Sequence, residues 1–304
     1  MSGKKLNTPV LLIGFNRLDL FEKILNQVLK VNPRIIYVAL DGARIGRDDD
    51  LVNINKIKKL VRKISGCALK TNYQKKNLGC KYGPVAAMNW FFENEEKGII
   101  LEDDVLADVS FFYFCQELLE KYKNDDRVGS ISGNSFVPKA DFKGKSYLFS
   151  SYSQTWGWAT WRRVWKDYDI EMKDWPILRK EKMLNEKFNN WLSVIYWQLI
   201  FDSMYINKIS SAWDYQFTFL NWQKNYLTVI PKYNLTKNIG IGHANATHTK
   251  SKNNLSEIKV NKMVLPLKHP KEVIANKYFD KRIQKNNYVL WKEIGLRIYR
   301  KIFG

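Results

Sequence analysis

Gly98-Ile99-Ile100-Leu101-Glu102-Asp103-Asp104 decides the fold. A short run of uncharged residues, apolar from Ile99, ends abruptly in three carboxylates. Such a run reads as a strand covered on both faces, as in a parallel sheet. The pattern recurs outward. Pro9-Val-Leu-Leu-Ile-Gly-Phe15 stops at Asn16-Arg17, and Arg34-Ile-Ile-Tyr-Val-Ala-Leu40 stops at Asp41-Gly42. Val128 to Ser132 stops at Gly133-Asn134, and residues 67–72 read as a weaker strand. Helical spacing fills the gaps: Leu18 to Val31 (Leu20, Ile24, Val28), Leu51 to Ile64, Pro84 to Glu95 and Ser110 to Tyr122. Strands alternating with helices predict an α/β fold with a mostly parallel central sheet flanked by helices. In such sheets ligands bind at the carboxyl ends of the strands, where the polar stops lie.

The chain has 304 residues, 45% of them hydrophobic and 14% aromatic. That excludes a disordered chain. The net charge of +20 attracts anions: nucleotides, nucleic acid or an acidic membrane surface. Three scattered cysteines (Cys67, Cys80, Cys115) suit neither a disulfide framework nor a zinc site, and they fit a reducing compartment. No window approaches the ~18 apolar residues of a membrane span. The expectation is a cytoplasmic protein.

Glu102-Asp103-Asp104 is the sharpest chemical signal. Three adjacent carboxylates repel one another. A divalent cation, Mn²⁺ or Mg²⁺, relieves that and brings phosphate oxygens with it. Asp48-Asp49-Asp50 follows no strand and has Arg44 and Arg47 beside it, so it reads as a solvated loop or a helix start. Asn77-Leu-Gly79 and Gly83-Pro84, with Lys75, Lys76 and Lys81, could meet a diphosphate. Trp156-Gly-Trp158-Ala-Thr-Trp161 offers flat faces for a sugar, although rings at this density more often form core. Trp213-Asp214 pairs an aromatic ring with a carboxylate able to deprotonate a hydroxyl. His243 and His248 are further candidate metal ligands.

Taken in order, these residues resemble a glycosyltransferase of the Rossmann-like GT-A fold, most closely the N-acetylglucosaminyltransferase I family. The likeness runs over residues 9–245 and is dense at the motifs. Pro9 to Arg17 resembles the family's opening strand, which implies that Arg17 contacts the nucleotide. Ile36 to Asp41 resembles the strand whose terminal Asp contacts uracil. Ile99 to Val105, with Asp108 and Phe111-Phe112, is similar to the family's Glu-Asp-Asp segment and helix. That implies Asp104 on the metal and Glu102 and Asp103 facing the nucleotide sugar. Gly157-Trp158 and Trp213-Asp214 resemble the acceptor region. They imply Trp158 and Trp213 beside the acceptor and Asp214 as catalytic base, while Thr236 falls near the phosphates. The sequence departs from the family at Asn16 and Tyr215, where the family has Asp.

The resemblance implies an inverting, metal-dependent transfer from a nucleotide-sugar donor, UDP-GlcNAc-like, to a glycan or lipid-linked saccharide. Residues 8–250 form the expected catalytic domain, with 8–135 as the donor half and 136–250 as the acceptor half. Residues 251–304 form a basic extension with 13 Lys and Arg against 4 Asp and Glu. Its last stretch, Tyr288 to Phe303, can form an amphipathic helix able to dock on the inner face of an anionic membrane. Two other readings stay open: a sugar nucleotidyltransferase, and a basic nucleic-acid-binding protein. No nucleic-acid motif is recognised, so nucleic acid is not the expected partner.

Overall fold

In the computed structural model, which describes residues 5–137, 140–206, 212–243 and 259–290, the apolar runs are strands. β1 (Val10–Gly14) and β2 (Ile35–Leu40) are buried at every position. α1 (Leu18–Leu29) joins them and buries Leu20, Phe21, Ile24, Leu25 and Val28 along one face. α2 (Asp48–Val61) leads to β3 (Ala68–Tyr73), and α3 (Gly79–Asn94) leads to β4 (Lys97–Glu102). After β4 the chain forms β5 (Val105–Ala107), α4 (Val109–Lys121) and β6 (Val128–Ser132). Asp108 caps α4, its carboxylate accepting from Ser110 N at 2.8 Å.

The second half supplies β7 (Tyr147–Ser150), β8 (Trp158–Trp161) and α5 (Arg162–Trp165). Helices α6 (Trp175–Lys180), α7 (Met183–Lys187), α8 (Trp191–Ile206) and α9 (Asp214–Gln223) follow. β9 (Leu227–Pro231), β10 (Thr236–Asn238) and α10 (Lys277–Asn287) complete the described elements. The main sheet has the order β3-β2-β1-β4-β8-β6-β9-β7. Strands β3, β2, β1, β4, β6 and β9 run parallel, while β8 and β7 run against them. β5 and β10 pair antiparallel as a separate ribbon directly after the acidic triplet. This is the α/β architecture expected, with helices on both sides of a mostly parallel sheet.

Several boundaries differ from the sequence reading. Of the two readings of Asp48 to Asp50, the helix start holds and the solvated loop does not: they form the first turn of α2. Asp50 is fully buried because Arg44 grips it through Nε at 2.7 Å and Nη2 at 2.8 Å. α3 starts at Gly79, five residues before Pro84, because Asp41 accepts the amides of Leu78 and Gly79 at its head. Residues 8–135 and 136–250, expected as two halves, interleave: β8, from the second, sits between β4 and β6.

The described part of the basic extension packs on the domain. Met263 and Leu267 join the main core. Phe279, Ile283 and Leu290 join a second apolar cluster built around Trp175, Trp197 and Trp222. The helix expected over 288–303 lies, beyond Leu290, outside the described residues. No helix among the described residues is long and apolar enough to cross a membrane.

α10 is tied to β7 by one half-buried carboxylate. Asp280 accepts from Ser150 Oγ at 2.5 Å, Ser151 Oγ at 2.6 Å and Ser151 N at 3.1 Å. Asp280→Ala strands these donors and is expected to cost on the order of 1–3 kcal/mol. Urea denaturation checks this; an unmoved midpoint would detach α10 from the fold's stability.

Candidate functional site

Parallel pairing sets the site. β1 and β4 run side by side with Ile13 opposite Glu102, so the residues after both strands emerge together. Arg17, at the head of α1, lies between two consecutive carboxylates. Its Nη2 bonds Asp103 Oδ1 and its Nη1 bonds Asp104 Oδ2 at 3.0 Å. Phe15 N donates to the other oxygen of Asp103 at 3.3 Å. Burial opposes the charge on Arg17, and the two aspartates outweigh it, so the guanidinium pKa is raised. Gly240 closes over the pair: a Cβ there would lie 2.7 Å from Asp104 Cβ and 2.9 Å from Arg17 Nη1. The carbonyl of Asp104 accepts from Ile239 N at 2.7 Å, which fixes the segment after β10 across the triplet.

Glu102 ends β4. Burial first, then the charges of Asp104 and Asp103, push its pKa up to about 8 against the opposing charge of Arg17. Asp214, 112 residues further along the chain, adds to the same rise. The fold therefore brings the Trp-Asp carboxylate within electrostatic reach of the triplet.

A cavity of about 280 Å³ opens beside the triplet. Phe15, Arg17, Asp41, Glu102 and Asp103 line it, together with Arg44, Asn77 and the Gly79–Pro84 turn of α3. This is near the lower end of the ~300–1,000 Å³ typical of small-molecule sites. Asp41 sits at its wall with its oxygens occupied. Oδ1 accepts from Gly42 N and Leu78 N, both at 2.8 Å. Oδ2 accepts from Gly79 N at 2.9 Å and Asn77 Nδ2 at 3.0 Å. Burial raises the Asp41 pKa, opposed by the amides of Leu78, Gly42 and Gly79.

On the far side, Asp214 is exposed at the start of α9. A stack of rings holds it there. Trp213 lies on Trp158 with centroids 5.7 Å apart, and Tyr168 lies on Trp165 at 4.4 Å. Tyr168 OH donates to the Trp213 carbonyl at 2.9 Å. Burial raises the Tyr168 pKa, and the charge of Asp214 adds to it.

Arg17, Asp41, Glu102 and Asp103 thus line one cavity, Asp104 is tied to it through Arg17, and the charge of Asp214 reaches Glu102. Four expected contact residues have other surroundings than a ligand contact would need. Trp158 and Trp213 are 1% and 5% exposed, so they are core that carries Asp214 rather than open faces for an acceptor. Thr236 is fully buried, wedged where any Cβ on Gly133 or Gly157 would strike it. Its hydroxyl donates to the Trp156 carbonyl at 2.5 Å, which leaves it no route to a phosphate. Asp41 caps a helix start instead of offering a free carboxylate to a base. His243 lies 3.3 Å from Asp19, and His248 lies outside the described residues.

Among the described residues no group of three or more His, Cys, Asp or Glu could hold a metal ion unaided. The donor set still fits a hard divalent ion. Arg17 takes only Oδ2 of Asp104, and magnesium-type sites commonly use one or two carboxylates, completed by phosphate and water oxygens.

The sequence matches no protein-family model and no curated protein. Among solved structures it is similar to a mannosyltransferase from Pyrobaculum calidifontis in complex with GDP-Man and Mn²⁺, at 13% identity and a TM-score of 0.41. That match covers 71% of this chain and 69% of the other. A second similarity is to residues 1–349 of S. aureus TarS, at 15% identity and a TM-score of 0.38, covering 54% of this chain and 49% of that one. A third is to a 4-diphosphocytidyl-2C-methyl-D-erythritol synthase from Anaerococcus prevotii, at 10% identity and a TM-score of 0.35, covering 53% and 75%. Likeness at this level carries no argument about activity.

Sequence reasoning flagged Asn77 with its loop, which lines the cavity, but missed Arg44 and Gly240. Arg44 follows a strand end, where a polar residue could have been flagged. Nothing in spacing connects Gly240 with Arg17, 223 positions earlier. For Asp41 the capping geometry makes a specific expectation. Asp41→Ala leaves the Leu78 and Gly79 amides without their acceptor and loosens the first turn of α3. Hydrogen exchange should then accelerate at these two amides, roughly 5- to 100-fold for the loss of about 1–3 kcal/mol. Unchanged protection would mean that the cap is dispensable.

Proposed function

We propose that this protein is a glycosyltransferase that moves a sugar from a nucleotide-diphosphate donor to a hydroxyl of a glycan or lipid-linked saccharide, with inversion. The carrying observation is the cavity that Arg17, Glu102 and Asp103 line at the carboxyl ends of the strands. In this reading Asp214, whose charge reaches Glu102, serves the acceptor side. The ordered motifs resembling the N-acetylglucosaminyltransferase I family support a UDP-GlcNAc-like donor.

In this reading the cavity holds the nucleoside, with Arg17 and the α3 turn directing its diphosphate toward Asp104. A divalent ion, Mn²⁺ or Mg²⁺, held through Asp104, would neutralise charge on the departing diphosphate. Glu102 faces the sugar. The acceptor oxygen attacks C1 from the face opposite the diphosphate as the C1–O bond to the diphosphate breaks. Asp214 takes the acceptor proton. A single displacement of this kind inverts the anomeric centre and needs one base, and its products are a nucleoside diphosphate and the glycoside. A nucleotidyltransferase would instead release pyrophosphate, and it leaves Asp214 without a task.

Asp214→Asn is expected to keep donor binding by calorimetry and to lose at least ~100-fold in kcat, the lower end for general-base catalysis. Full turnover in that variant removes Asp214 from the role. Asp104→Ala should abolish the Mn²⁺-dependent part of UDP-sugar binding. An identical titration with and without the substitution, Mn²⁺ present, contradicts the assignment.

A further inference from the structure

Residues 43–76 hold ten Lys and Arg against three acids, a density that the proposed chemistry does not use. Two of the acids, Asp49 and Asp50, are already paired with Arg47 and Arg44. Lys56, Lys59, Lys63, Lys75 and Lys76 are exposed, and none joins an ion pair among the described residues.

The fold gathers part of this charge at the cavity's mouth. The loops after β2 and β3 both leave the carboxyl edge of the sheet. They touch there: Asn77 Nδ2 donates to the Gly42 carbonyl at 2.8 Å, and a Cβ on Gly42 would lie 2.5 Å from the Lys76 carbonyl carbon. Aliphatic side chains stand out among the cations. Ile45 is fully exposed, Leu51 and Val52 are about half exposed, and Leu78 is 37% exposed. Arg44 and Asn77, which flank these positions, line the cavity itself.

Phosphate backbones of nucleic acid would be met by the cations alone. Bare aliphatics on a basic rim suit a surface with an anionic headgroup layer over a hydrocarbon edge. We propose that this rim, formed by the β2–α2 and β3–α3 loops with the outer face of α2, docks on an anionic lipid membrane. Ile45 and Leu78 enter the headgroup boundary, and Lys75 and Lys76 pair with lipid phosphates and carboxylates. Docking turns the cavity mouth toward the lipid surface. Only the next step rests on the sugar-transfer reading: a lipid-linked saccharide is the acceptor such an orientation serves.

The test is co-sedimentation of the full chain with phosphatidylserine–phosphatidylcholine vesicles. Binding is expected to these vesicles and not to phosphatidylcholine alone, and to weaken with salt. Replacing Lys75 and Lys76 together by Ala should weaken it roughly 30-fold, each lysine near such a surface contributing about fivefold. Ile45→Asp should weaken it at least ~10-fold. Ile45 has nothing packed on it, so that variant leaves the fold intact, which a thermal melt checks.

Three results overturn the proposal: no sedimentation of the intact chain, binding lost only on truncation after Leu290, or binding indifferent to Ile45→Asp with duplex nucleic acid captured through the same lysines. Titration of a nucleotide sugar into the same variants in solution reads the catalytic proposal separately, so either can fail alone.

Discussion

The guanidinium of Arg17, shared between Asp103 and Asp104, is the interaction on which the rest of the site depends. Two consecutive aspartates at the end of a buried strand would otherwise face each other's charge and that of Glu102 in a dehydrated setting. At Glu102 burial first, and then the charges of Asp104 and Asp103, still raise the pKa to about 8 against the pull of Arg17. Parallel pairing of β1 with β4 makes the arrangement possible, because both strands end at the same level. Gly240 then seals it, and only a residue without a side chain fits where its Cβ would strike both Asp104 and Arg17.

Much of this was readable in order along the chain. β1, β2, β4 and β6 are runs of buried residues, and the polar residues after β1, β2 and β4 do assemble at one edge. The second half was less legible for physical reasons. β7 and β8 are four residues long, too short for a period to show. β6, β8 and β9 carry Ser130, Thr160 and Thr228 inside the sheet. There Ser130 pairs with Thr228 at 2.9 Å, and Thr160 donates to the Gly129 carbonyl at 2.6 Å. Buried hydroxyls with partners look like surface residues in a one-dimensional pattern. The burial of Thr236 and Trp158 was equally hidden, since motif position says nothing about which way a side chain faces.

The aromatic content has a structural explanation. β8 runs against its neighbours and lies beside β4, which carries Trp158 into the middle of the sheet. From there the stack of Trp158 on Trp213, braced by Trp165 and Tyr168, reaches outward to Asp214. An exposed carboxylate on a helix start would ordinarily sample many positions. Anchoring the preceding residue in a rigid ring cluster restricts the backbone that carries it. The acidic triplet is thus placed by sheet register and Asp214 by ring packing, two independent devices.

The amide at position 16 follows from the same electrostatics. Asn16 is buried and its amide donates to Asp50 Oδ1 at 2.5 Å. Arg44 completes that carboxylate's partners and, ahead of burial, holds the Asp50 pKa down. An aspartate at position 16 would set a second buried anion against Asp50, with Arg44 already committed and Arg17 already shared. The amide removes that conflict and keeps a hydrogen bond. Asp50, supplied from α2, is the carboxylate beside Asn16, and it draws Arg44 onto the cavity wall.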